Sequence, residues 1–256
     1  MLRPSGGEKC RLGPHPLVFT KHETRDTNHG FYGFHETRDT NHESQLFPFH
    51  RGYHQPMLKV GLTGGLATGK SYVSARLAEL GCHVIQADTL GHEVLRRGAE
   101  AYDDVVAEFG EGVLGAGGEI DRKLLGAVVF PDAAKLSRLN SLVHPHVFRR
   151  QQAFFEALER DDPHGIGVVE AAIMIESGSY KRYDRLIVTV CPPEVQVRRF
   201  IERGGTEQGA RDRLARQLAI EKKRAFADFI IDTSGSFAET DAQVRDVYVR
   251  LKREAE

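Results

Sequence analysis

From residue 58 onward, short apolar runs alternate with stretches whose apolar positions recur at helical spacing. Residues 58–62 form a short, mostly apolar run that predicts a strand leading into Thr63. Residues 70–80 put Val73, Leu77 and Leu80 on one helical face. Residues 83–86 predict a second strand, with a helix from about Thr89. Residues 100–160 read as mainly helical, broken by a glycine-rich turn at 115–118. Residues 166–170 and 186–190 read as buried strands. Pro192 and Pro193 then open a further helix, since proline suits a first helical turn. Residues 229–232 predict a last strand, and a closing helix starts at about Glu239. Strands alternating with helices predict an α/β fold of three layers, a parallel sheet covered on both faces.

Residues 1–56 follow neither period. They carry His15, His22, His29, His35, His42, His50 and His54, and the octapeptide HETRDTNH stands twice, at 22–29 and at 35–42. Two polar octapeptides cannot build a solenoid core. The segment is expected to be a disordered or non-native extension, with Met57 as a start placed directly before the first strand. Repeated histidines can bind a transition metal, but no ligand set of fixed geometry is visible here. The remainder, 57–256, reads as one domain.

Composition narrows the function classes. Apolar residues make up 40% and charged residues 28%, an ordinary balance for a chain with a real core. The formal net charge of -1 argues against nucleic acid or an anionic membrane as the main partner. No apolar run reaches the roughly 20 residues of a membrane span. Cys10, Cys82 and Cys191 are too few and scattered for a disulfide framework or zinc site, and a reducing cytoplasm is expected.

The strongest motif is Gly64-Gly65-Leu66-Ala67-Thr68-Gly69-Lys70-Ser71, which matches G-x-x-x-x-G-K-[ST] between a predicted strand and a predicted helix. Gly64 and Gly69 permit backbone angles that turn successive N–H groups into one concave nest. Nest and helix N-terminus together bind phosphate oxygens. Lys70 would carry charge to the β and γ phosphates, and the Ser71 hydroxyl would ligate Mg²⁺. The motif fixes nucleotide binding better than reaction type, because switches, motors and small-molecule kinases share it.

No Asn-Lys-x-Asp guanine-reading motif is present. A motor-type ATPase should end an apolar strand in a metal-holding aspartate. The strand at 186–190 runs into Cys191 and Pro192, and the strand ending at Asp232 is the last one. A small-molecule kinase needs an acceptor-side carboxylate and a closing, arginine-rich segment. Asp88 follows the second strand, on the sheet edge shared by parallel-strand C-termini, and so should face the phosphate loop. Its other reading is a helix N-cap. Arg199 and Arg203 are spaced i, i+4, the pair Gly204-Gly205 follows, and then come Arg211, Arg213 and Arg216. This stretch reads as a lid over about 199–217 or as a solvated helix surface.

Residues 57–256 resemble the dephospho-CoA kinase family. The resemblance is carried by Thr63 to Ser71, by Ala87, Asp88 and His92, by Asp121, Arg122 and Leu125, and by Leu139, Asn140, His144 and Pro145. It continues through Arg199 and Arg203, Arg213 and Gln217, to Ala227, Asp228, Ile231, Asp232 and Gly235. Each short element is weak alone, but their order and spacing are specific. The resemblance implies a P-loop NTPase core with a helical substrate-binding insertion at about 100–160 and a lid. It implies ATP-dependent phosphorylation of the ribose 3′-hydroxyl of dephospho-CoA, giving CoA and ADP. Asp88 would be the base, acting with Lys70 and Arg203. Residues 65–72, with Tyr72, would hold ATP, with Arg199 and Arg213 from the lid. His92, Asp121, Arg122 and His144 would face the substrate. His144, before Pro145, also reads as a packed helix-boundary histidine. Three departures stand out: the stretch 172–176 lacks the family's proline, Tyr72 replaces a usual threonine, and Thr233 replaces a usual asparagine. Another nucleoside- or sugar-type kinase, or a non-catalytic ATP-binding regulator, are the alternative readings.

Overall fold

Strand β1 (Leu58–Gly64) lies at the centre of a five-stranded sheet with β2 (His83–Gln86), β3 (Ile166–Glu170), β4 (Arg185–Val190) and β5 (Phe229–Asp232). The order is β2-β3-β1-β4-β5 and every pairing is parallel. The computed structural model describes residues 57–256. The expected extension at 1–56 and its histidine repeat lie outside the described residues. The three central strands are buried nearly throughout, whereas the edge strands β2 and β5 mix exposed and buried positions. That is why the central runs read as continuous apolar stretches: a parallel sheet is covered on both faces.

Helices α1 (Lys70–Glu79) and α9 (Phe237–Ala255) cover one face, packing Val73, Leu77, Val244 and Leu251 on Val60, Leu62, Val168 and Ile187. On the other face, Phe155 and Leu158 of α5 (Ala133–Asp161) meet Val169, Val188 and Val190. Val168 and Val169 thus serve opposite cores, the period-two alternation of a strand. A third cluster joins Val94, Val105, Leu125, Val129 and Leu139 from the region after α2 (Ala87–Glu93), from α3 (Tyr102–Phe109), from α4 (Arg122–Val129) and from α5. Residues 100–160 are mainly helical, and Leu114 and Ile120 bridge across their glycine-rich turn.

Three differences from the expected helices concern their starts and a proline. The α2 helix starts at Ala87, two residues early, so Asp88 sits inside its first turn; the N-cap is Gln86, with no side-chain capping bond. The α9 helix starts at Phe237 because Ser236 and Glu239 form a reciprocal capping box. The α5 helix passes through Pro145 without ending, so His144 is not at a helix boundary. Tertiary packing carries it across: Val143 and Val147 are buried on either side of the proline.

After β4 come α6 (Pro193–Glu202), α7 (Glu207–Arg216) and α8 (Ile220–Arg224). The α6–α7 corner turns at Gly204, whose φ of +86° favours glycine, and a side chain at Gly205 would strike the Phe200 ring. No described helix is long and apolar enough to cross a membrane.

Candidate active site

The strand C-termini converge on the loop between β1 and α1. A Cβ at Gly64 would lie 2.2 Å from Thr189 Oγ1 and 2.6 Å from Thr68 Oγ1, so only glycine fits. Gly69 has φ of +79° and Ala67 has φ of +52°, the turned backbone a phosphate nest needs. Threonines bolt the loop to its neighbours. Thr68 Oγ1 donates to Gly65 O at 3.0 Å and shares a 2.8 Å hydrogen bond with Thr189 Oγ1 of β4. Thr233 Oγ1 donates to Thr68 O at 3.0 Å. Lys70 Nζ donates back to Gly65 O at 2.9 Å. Burial pulls the Lys70 ammonium below the ordinary lysine range, with Lys223 and Arg203 adding to it and Glu170 and Asp88 opposing.

This loop floors a cavity of about 300 Å³. Asp88, Glu170, Arg203, Arg213 and Gln217 line its walls. A second, mostly apolar cleft of about 80 Å³ opens between α2, α5 and the segment after β3, with Val143, His144, Phe148 and Met174 among its walls. Asp88, His92, Ala171 and Ala172 line both, so they stand where the two meet. The Asp88 carboxyl is pushed up to about 6, chiefly by burial and further by Glu170, against the pull of Lys70 and Arg122. Beside it, His92 Nδ1 lies 3.5 Å from Arg122 Nη1, and its buried Nε2 has no protein partner. Burial, with Arg122 adding to it, holds that imidazole below its usual range and so neutral. His144 lines the apolar cleft, and burial lowers its pKa too.

Glu170 is the residue that the strand pattern pointed to without naming. It ends β3 and is buried, accepting from Ser71 Oγ at 3.1 Å and Ser74 Oγ at 2.8 Å. An apolar strand that ends in a carboxylate beside the phosphate loop is therefore β3, which pairs directly with β1. Asp232, on the edge strand, is exposed and accepts from Ser234 N in its own turn. The signal in the sequence was an apolar run ending in Glu170; strand order alone decides which such ending meets the loop.

Two expected site residues have other work. Arg199 Nη1 donates to Thr233 Oγ1 at 3.0 Å and Nη2 to Thr233 O at 2.6 Å, bracing the turn after β5 away from the cavity lining. The separation from Arg203 is helical: α6 ends at Glu202, so Arg203 turns with the glycine corner while Arg199 stays on the helix. Arg213 enters the cavity with its guanidinium 5.0 Å from the Phe200 ring centroid. Asp121 is the N-cap of α4, accepting from Lys123 N at 2.7 Å and Leu124 N at 3.1 Å, and it lines neither cavity. Replacing Asp121 by alanine should cost about 1 kcal/mol of stability, with asparagine nearly neutral. Acceptor KM should not move in either variant; a KM rise in Asp121→Asn at unchanged melting temperature would return it to the substrate side. Tyr72 lines the cavity, while its hydroxyl donates to Asp241 at 2.7 Å and its ring meets Phe237 at 4.8 Å.

The sequence model of the dephospho-CoA kinase family matches residues 58–239. A dephospho-CoA kinase from Aquifex aeolicus is 40% identical over 198 residues, which are 77% of this chain and 100% of that protein. One from Thermobifida fusca is 43% identical, covering 77% of this chain and 98% of its own length. Among solved structures, the dephospho-CoA kinase from Campylobacter jejuni superposes with a TM-score of 0.59 at 27% identity, covering 77% of this chain and 98% of that one.

Proposed function

Because the chain belongs to the dephospho-CoA kinase family, we propose how its own residues divide the work of that reaction. It is a transferase that moves a phosphoryl group from ATP to the ribose 3′-hydroxyl of dephospho-CoA, the last step of CoA biosynthesis. The observation that carries the division of labour is that Asp88 lines both cavities. One cavity has the phosphate loop and Lys70; the other has apolar walls and no phosphate nest. We assign ATP to the first and the acceptor nucleoside to the second. The ribose hydroxyl then meets the γ-phosphate at Asp88.

Asp88 orients that hydroxyl and takes its proton as the new phosphorus–oxygen bond forms, and a carboxyl raised toward neutrality is a better base than an ordinary one. Lys70 and the loop N–H groups hold the β and γ phosphates. Arg203 and Arg213 close on the charge of the transferring group. Neutral His92, with a free buried Nε2, and His144 contact the acceptor. Mg²⁺ fits beside Ser71 and Glu170, whose oxygens lie 3.1 Å apart. Mg²⁺ there would take most of its ligands from phosphates and water. When bound, Mg²⁺ neutralises phosphate charge. The free, buried thiols of Cys82 and Cys191 support a reducing, cytoplasmic setting.

The test offers ATP and Mg²⁺ with dephospho-CoA, adenosine, uridine and gluconate in parallel and measures ADP release. Turnover should be selective for dephospho-CoA; preference for any of the others would replace the acceptor assignment. Arg203→Ala should lower kcat by roughly tenfold to 10²-fold, below the loss of a fully preorganised donor because Arg213 shares the cavity. The Kd for dephospho-CoA should hardly change. Unchanged kcat would make Arg203 a surface residue.

A further inference from the structure

Lys223 of α8 is fully buried, at 0% exposure. Burying an ammonium is costly unless it is paired and hydrogen-bonded. Its Nζ lies 2.8 Å from Glu176 Oε1 and donates to Ala172 O at 3.2 Å. The same Glu176 oxygen accepts from Leu218 N at 3.2 Å. One residue earlier, Gln217 caps the C-terminus of α7, and its Oε1 accepts from Leu66 N of the phosphate loop at 2.8 Å. The short segment 217–223, which returns the chain from the arginine-bearing helices, is therefore tied at two places. One tie is to the phosphate loop. The other is to the stretch after β3, where Ala171 and Ala172 form wall common to both cavities. Thr63 Oγ1, at the end of β1, also donates to Ala172 O, at 3.3 Å.

A side chain that only filled space here would be better made of carbon. Replacing a buried ion pair by apolar residues is often neutral or stabilising. What an ion pair adds is a fixed location. It sets the Ala172 carbonyl and the Glu176 carboxylate at hydrogen-bond distance from the segment that follows Arg213. The Lys223 charge also reaches the donor site, where it adds to the burial that lowers the Lys70 ammonium.

We propose that Lys223 is a positioning residue: through Glu176 and the Ala172 carbonyl it couples the lid's return segment to the wall shared by the two cavities, so that filling the donor cavity tightens the acceptor cavity. The inference rests on the assignment of donor and acceptor cavities made above. When Arg203 and Arg213 settle on the phosphates, Gln217 at the end of α7 is held with them. The Glu176–Lys223 tie passes that constraint to Ala172. By linkage, acceptor binding must tighten nucleotide binding by the same factor.

The experiment measures the Kd of dephospho-CoA by calorimetry, with and without Mg²⁺ and the non-hydrolysable analogue adenylyl imidodiphosphate. The parent, Lys223→Met and Glu176→Gln are compared. In the parent the analogue should tighten dephospho-CoA by about fivefold or more, the lower end of typical coupling. In Lys223→Met the factor should fall below about twofold. The Kd measured without nucleotide should stay near the parent value. A purely structural role would lower the melting temperature and leave the ratio of the two Kd values alone. Should Lys223→Met fail to fold, Glu176→Gln decides, because it keeps the shape and the acceptor for Leu218 N while removing the charge. Its coupling factor should also drop. An unchanged ratio in the folded variants, or a parent without coupling, overturns the proposal. A parent that does not turn over dephospho-CoA overturns the cavity assignment instead, so the two failures are distinct.

Discussion

Asp88→Asn is expected to lower kcat by about 10²–10⁴-fold while leaving ATP affinity unchanged, the usual share of a general base. Asparagine keeps the size and can still accept a hydrogen bond from the ribose hydroxyl, but it cannot take the proton. The helix-cap reading of Asp88 predicts no such loss, and the N-cap position of α2 is Gln86, with Asp88 inside the first turn. The pH dependence carries a second signature. The carboxyl, raised to about 6, must be ionised to act, so kcat/KM of the parent should climb through about pH 6 and then level. The asparagine variant should lack that limb. Stability runs the other way. A carboxyl whose folded pKa lies above its unfolded value of 3.8 favours the fold fully below about pH 4, and that contribution is lost as pH rises through about 6. At pH 8 Asp88→Asn should therefore melt no lower than the parent, with any advantage shrinking below pH 4. Single-turnover ADP formation and melting curves on the same protein read both effects. A rate within a few-fold of the parent would remove Asp88 from the mechanism.

Lys70→Ala is expected to cost about 10²–10³-fold in kcat, the range for loss of one preorganised electrostatic contact. The Lys70 ammonium stands over the loop it springs from, bonded to Gly65 O, where the β and γ phosphates would draw it forward. Its stability signature is again opposite to its catalytic one. Burial lowers its pKa, with Lys223 and Arg203 adding repulsion, so the folded protein holds this charge at a disadvantage. Removing it should leave the melting temperature unchanged or slightly higher, the mark of a site strained for function. The test pairs thermal melts with turnover and with ATP titration. Full activity in Lys70→Ala would falsify the phosphate-loop assignment.

Local pattern was enough for much of this protein. The alternation of apolar runs with helical spacing determined the α/β class, because each element's period is set by its own backbone geometry. Three of the five expected strands, at 83–86, 166–170 and 229–232, have the bounds observed for β2, β3 and β5. Residues 64–71 determined the phosphate nest, because its glycines, lysine and serine act within one turn of chain. That Asp88 faces the phosphate loop was legible from its place after a strand, whereas Arg203 and Arg213, which line the same cavity, were singled out among the arginines of their stretch only by the family resemblance.

What the tertiary structure decided concerns partners far apart in the chain. Strand order put β3 beside β1, so Glu170, 99 residues from Ser71, became the carboxylate on that hydroxyl while Asp232 was left at an exposed edge. It gave Arg199 to Thr233 and kept it from the cavity, since the end of α6 separates two arginines that share spacing but not direction. It took Asp121 for a helix cap, a use that needs only the two amides just after it but competes invisibly with substrate binding in a linear reading. It buried Lys223, 47 residues after Glu176, where nothing in the polar run at 221–224 marks one lysine as different from its neighbours. Spacing along a chain specifies which way a side chain leaves its own element; only the packing of elements specifies what it meets.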